Sequence, residues 1–126
     1  MGTVAEGERN KMLDALVGRT TYTANAAFYI KLHLGAPGSA GTNNAATETT
    51  RQAATFGAAA SSAAISNTAA IEWVGVSTTE TYTHISAWTA SSGGTFLGSD
   101  DLSSSAAVTA GDTFRIPTGD LDLTVT

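Results

Sequence analysis

The chain has no cysteine and only two prolines. Without cysteine there is no disulfide framework and no thiolate chemistry, and the redox compartment is left open. Large core formers are scarce as well: Val, Ile, Leu and Phe together make up 23 of the 126 residues. Charge is also sparse, with 13% charged residues and a formal net charge of −5. Low hydrophobicity points to disorder only when net charge is high, so that signature is incomplete. No run of 18 apolar residues occurs, so no membrane insertion is expected. The first residues lack a basic region followed by an apolar run, and no secretory signal peptide is expected. Nor is there a concentrated basic stretch, which argues against direct nucleic-acid binding.

Alanine and threonine fill the gap that the missing aliphatics leave. Threonine favours strands through its branched β-carbon. Alanine buries little area, at about 25 cal/mol per Å². The length suits one domain. The expected core is therefore thin, with stability borrowed from neighbouring copies. The chain divides into an N-terminal helical segment, residues 1–18, and a single β-rich domain, residues 19–126.

The stretch Thr81–Leu97 is the clearest element. Tyr82, His84, Ser86 and Trp88 alternate with Thr81, Thr83, Ile85, Ala87 and Thr89, the period of a pleated strand. Ser91-Ser92-Gly93-Gly94 then allows a reversal, and Thr95-Phe96-Leu97 restarts the extended pattern. Earlier, Thr3 and Glu6 have capping-box spacing. Met12, Leu13, Leu16 and Val17 share one face of a helix over residues 5–17, with Gly18 as its stop. One apolar stripe requires that this helix lie against a sheet or reach another subunit. Phe28, Ile30, Leu32 and Leu34 alternate with polar residues as the core side of a half-buried strand. Gly35-Ala36-Pro37-Gly38 ends it. Residues 39–47 read as a long loop that a partner orders.

Glu48–Phe56 reads as extended. The run from Gly57 to Ala64 is nearly all alanine and serine, compatible with a short helix or with a loop. Ile65 and the Ile71–Val76 stretch suggest two short strands, with Asn67 turning the chain between them. Phe114–Ile116 and Leu121–Val125 close the list of expected strands, separated by turns rich in glycine and aspartate. The pattern predicts a mainly β fold, a compact antiparallel β-sandwich or barrel-like domain with one N-terminal helix.

Catalytic chemistry has little to stand on. His33 and His84 would need further ligands to hold a metal, and the aspartates match no calcium-loop spacing. Gly93-Gly94 lacks the lysine of a phosphate loop. Glu72 and Glu80 read as solvated carboxylates rather than as an acid–base pair. No catalytic residue, metal site or cofactor is expected. Tyr29, Trp73, Tyr82 and Trp88 suit the core, a subunit interface or a carbohydrate surface. The interface expected from the sequence comprises Met12, Leu13, Leu16, Val17, Pro37, Tyr82, His84 and Trp88. The N-terminal segment and residues 35–47 are expected to make the main contacts outside the subunit.

Five stretches occur in a suggestive order: FYIKLHLGAPGSAG, TTRQAATF, ISNTAAIEW, YTHISAWTASSGGTFLGSDDLS and VTAGDTFRIPTGDLDLTV. With KMLDALVG before them, they resemble a family of small structural proteins of tailed phages of actinobacteria. Its members are labelled tail-fibre or minor structural proteins, and some are capsid decoration proteins. The resemblance implies a virion component without catalytic activity. It implies in particular a capsid decoration (cement) protein on the outer capsid surface, a homotrimer bridging copies of the major capsid protein. The alternative it leaves is a tail-fibre or tail-tip component that meets the host.

Overall fold

The structure is a computed structural model that describes residues 3–58 and 64–124. In chain order it contains β1 (Thr3–Val4), α1 (Glu6–Leu16), β2 (Tyr29–His33), β3 (Gln52–Ala53) and β4 (Ala64–Ser66). There follow β5 (Ile71–Trp73), β6 (Glu80–Trp88), β7 (Phe96–Val108), β8 (Phe114–Ile116) and β9 (Asp122–Thr124). The main sheet is antiparallel with strand order β1-β7-β6-β2-β3. Two antiparallel ribbons, β4-β9 and β5-β8, accompany it. The fold is therefore mainly β with one N-terminal helix. The sheets neither close into a barrel nor stack as a clear sandwich. Short ribbons explain this, because three-residue strands cannot make a second full layer.

The hairpin of β6 and β7 is the centre of the sheet, as its alternation predicts. Its turn needs glycine. Gly94 has φ +72, and a Cβ there would lie 2.7 Å from Thr89 Oγ1. That hydroxyl accepts from the Thr95 amide at 2.9 Å. The alternation within β6, however, does not run unbroken. Glu80–Tyr82 pairs with Ala106–Val108, and His84–Trp88 pairs with Phe96–Asp101. Thr83 thus faces the excursion Leu102–Ser105. Such a bulge shifts the phase of the strand, so Tyr82 and Ile85 both enter the same core despite their odd spacing.

That core is built around Ile30, Leu32, Ile71, Trp73, Val76, Tyr82 and Ile85. Phe28 and Phe56 meet edge to face at 5.2 Å beside it, and Trp73 Nε1 donates to the Thr50 carbonyl at 2.8 Å. Leu34 departs from the expected core face. It lies beyond the end of β2 and is exposed. Asn67 turns the chain, as expected, and does more. Its Oδ1 accepts from the amides of Gly119 (3.0 Å) and Leu121 (2.9 Å), and its Nδ2 donates to the carbonyls of Ala69 (2.9 Å) and Pro117 (3.0 Å). One buried side chain therefore ties the β4 exit to the turn before β9.

The loop after β2 is held by its own chain. The Leu34 amide bonds to the Asn44 carbonyl (2.8 Å), Ala46 to Leu32 (3.1 Å), and Asn43 to Pro37 (2.9 Å). These bonds tie the loop to itself and to β2, a local source of order that does not call on a partner. The alanine–serine run falls largely on residues 59–63, and the expected strand end at Val125 also lies outside the described residues.

Candidate contact surfaces

Helix α1 lacks the expected capping box. Thr3 is in β1, and Ala5 occupies the N-cap without a side-chain bond to the helix. The chain is instead pinned there by the Ala5 amide, which donates to the Leu97 carbonyl at 2.8 Å. Glu6 and Glu8 in the first turn suit the positive end of the helix. At the other end, Gly18 has φ +78. Gly18 N–H donates to the Ala15 carbonyl (3.1 Å) and Arg19 N–H to the Asp14 carbonyl (2.8 Å). This is the paired closure that a glycine after a helix permits.

The helix buries its polar side. Glu8 is enclosed, taking Lys11 Nζ at 2.7 Å and the Tyr22 hydroxyl at 2.6 Å. Those two bonds, Lys11 first, hold its carboxyl below the ordinary range. The apolar stripe faces away: Met12, Leu13, Leu16 and Val17 are 37%, 58%, 81% and 68% exposed. Of the two alternatives the sequence leaves for this stripe, the chain's own sheet does not cover it. Glu8 supplies the anchor, and the apolar residues have no cover among the described residues.

The other residues expected at an interface sit elsewhere. Pro37 is buried in the loop after β2. Tyr82 is fully enclosed, packed edge to face on Phe114 at 5.3 Å. Burial, reinforced by the charges of Glu80 and Glu48, pushes its hydroxyl up to about 12. Trp88 is buried between Phe96, 5.4 Å away, and the Arg51 guanidinium, 4.1 Å above its ring. These three have their surface covered by their own chain. His84 is half-buried, with Nδ1 2.8 Å from Thr83 Oγ1.

His33 and His84 are brought into register on neighbouring strands. Yet His33 is fully enclosed in a polar chain. Trp88 Nε1 donates to Ser86 Oγ (2.8 Å), which lies 2.7 Å from His33 Nε2, and His33 Nδ1 lies 2.9 Å from the Asn43 carbonyl. The carbonyl can only accept, so Nδ1 carries the proton and Ser86 donates to Nε2. Burial pushes this imidazole below its ordinary pKa. Among the described residues no three His, Asp or Glu side chains are grouped to hold a metal ion. Glu72 pairs with Arg115 across β5-β8 at 3.6 Å. Glu80 accepts from the amides of Thr47 (3.1 Å) and Glu48 (3.2 Å). Each carboxylate thus has a separate structural engagement.

Sequence reading passed over Arg51. Its guanidinium donates to the carbonyls of Ala90 (2.9 Å) and Gly93 (2.7 Å) while stacking on Trp88. An isolated arginine before a β strand carries no signal of such a clasp. The partners lie about 40 residues away (|i−j| of 39 and 42).

Residues 4–124 match the family model described as podophage GP4 fiber I protein gp80. No curated protein matches the chain. The family match spans α1 and the body of the fold. The chain is a structural protein of a tailed-phage virion, of the tail or fibre kind, with no enzymatic role. This corrects the expected partnership with the major capsid protein. A fibre family points to tail and host contacts rather than to bridging of shell subunits. The three-fold position on that shell falls with it.

Proposed function

Because the chain belongs to the podophage GP4 fiber I protein gp80 family, we propose that it is a tail-fibre or tail-tip component. Its N-terminal arm attaches it to the virion, and its β body meets the host surface. The observation that carries the first half is the uncovered stripe of α1. Leu13, Leu16 and Val17 are each more than half exposed, on a helix whose only buried side chain is a glutamate. A short helix does not survive on propensity alone. Covering this stripe with an apolar face of a neighbouring tail protein contributes on the order of 1 kcal/mol or more per side chain. The interface thus narrows from the residues the sequence suggested to Met12, Leu13, Leu16 and Val17. An actinobacterial host is what the sequence resemblance adds to this reading.

The test is virion assembly with Leu13→Asp/Leu16→Asp. Both positions are exposed, so the isolated variant is expected to fold with an unchanged circular dichroism spectrum. Virions carrying it are expected to lose the protein, measured as copies per particle. Immunogold labelling of wild-type particles is expected at the tail, at low copy number. Label spread over the capsid, or full incorporation of the variant, overturns the proposal.

A further inference from the structure

A groove of about 610 Å³ runs beside β7, within the size range of small-ligand sites. One wall is the excursion Leu102–Ser105 that the bulge opposite Thr83 produces. The other wall is β8 and the turn leading into β9. Its floor is apolar, made by Ile85, Phe114 and Leu121. Trp73 and Tyr82 hold the Phe114 ring in place, at centroid distances of 5.6 Å and 5.3 Å. The rim is polar and exposed: Asp101, Asp120 and Asp122, with the adjacent hydroxyls of Ser103, Ser104 and Ser105.

The chemistry of this lining restricts its ligand. Four aspartates line the groove against one cation, Arg115, which is itself drawn to Glu72 at 3.6 Å. The field therefore disfavours phosphate, sulfate and uronate groups. The carboxylates do not gather around a point, and no metal-holding group forms among the described residues. Asp122 already takes the Ser66 hydroxyl on Oδ1, which fixes its orientation. Carboxylates only accept hydrogen bonds, whereas serine hydroxyls both donate and accept. A ligand with many hydroxyls and one apolar face satisfies both the rim and the floor. A cationic peptide answers the charge but leaves the serine row and the ring unused.

We propose that this groove binds a pyranose unit of a bacterial surface glycan, uncharged or amino-bearing, with its C–H face on Phe114 and its hydroxyls on the aspartate and serine rim. The proposal rests on the host-contact reading above and names the class of receptor for it.

The full chain is probed on an array carrying neutral, N-acetylamino, free-amino, uronate and sialate oligosaccharides, together with an oligolysine peptide. Neutral or amino saccharides are expected to bind, and their acidic counterparts at least tenfold more weakly. Asp101→Asn/Asp120→Asn removes charge at exposed positions, and Ser104→Trp fills the groove from its rim. Each is expected to lower affinity at least tenfold with unchanged melting temperature. Undiminished binding in both variants, a preference for acidic glycans, or retention of oligolysine alone overturns the groove assignment. Adsorption of phage to its host after pre-incubation with the purified chain separates the two levels. Blocking by wild type and by both variants alike keeps host contact and discards the groove. No blocking by wild type discards the host-contact reading itself.

Discussion

At the scale of single residues, His33 shows how a polar group is kept in a thin core. It is fully enclosed, and the groups facing it are Ser86, the Asn43 carbonyl, Lys31 and His84. No carboxylate is among them, so nothing offsets the desolvation of an imidazolium, and its pKa is lowered from the ordinary 6.5. The sign follows from linkage. As pH falls from about 7 through 6.5 toward the lowered folded value, the unfolded chain takes up a proton that the folded chain refuses. Stability is then complete above the unfolded value and declines as pH drops. Urea unfolding between pH 7.5 and 5, above the carboxylate range, is expected to give a falling midpoint. His33→Gln is expected to flatten that slope even if it lowers the plateau. A wild-type midpoint that is flat or rises toward pH 5 contradicts this account of His33. The sequence placed His33 on the face of β2 opposite the apolar residues. It did not reveal that this face is also covered, because the cover is the loop ending at Ala46, folded back by backbone bonds.

At the scale of elements, legibility tracked how local the cause was. The β6–β7 hairpin was readable because alternation and a glycine turn are written in adjacent residues. The strand β2 was readable for the same reason, up to Leu34. The phase shift in β6 was not, since the excursion Leu102–Ser105 sits on the partner strand and nothing near Thr83 announces it. The helix was located correctly, but its anchor through Glu8 was not legible, because Glu8 finds Tyr22 fourteen residues on. The groove was invisible for a similar reason: its lining comes from three separate parts of the chain. The aromatic residues expected at an interface instead serve their own chain, and Trp88 does so through Arg51. The clasp gives the hairpin turn a stability that serine and glycine alone cannot. Arg51→Ala removes two charge-assisted hydrogen bonds and a cation–π contact, together worth about 1–3 kcal/mol. Hydrogen exchange is expected to show the loss locally, with amides of Thr89 and Thr95 deprotected before those of β2. Equal protection in wild type and variant rules the clasp out as a determinant of the turn.

At the scale of the whole molecule, the question is how separable the arm is from the body. The division into residues 1–18 and 19–126 remains a proposal, and its physical basis is the weak coupling across it. Strand β1 pairs with β7 at only two positions, Thr3 with Ser99 and Val4 with Gly98. Beyond the local contacts of Asp14 with Arg19 and Thr20 at the boundary, the arm is tied among the described residues by the Ala5–Leu97 backbone bond and by the Glu8–Tyr22 contact. None of its described apolar residues belongs to the core cluster. A few hydrogen bonds of this kind carry about 0.5–1.5 kcal/mol each, or 1.5–3 where one group is charged. Ordering the backbone they hold costs about 1–2 kcal/mol per residue. The balance predicts that the isolated chain gains little stability from its arm. A chain lacking residues 1–18 is therefore expected to unfold cooperatively in urea, with stability lowered by no more than about 2 kcal/mol. The lost circular dichroism signal is expected to be helical, with the strand signal kept. Collapse of the whole fold on deletion requires the arm to be part of the core, against the exposure of Leu13, Leu16 and Val17. Persistence of the body, combined with loss from virions, is the pattern of an element kept for a partner rather than for its own chain.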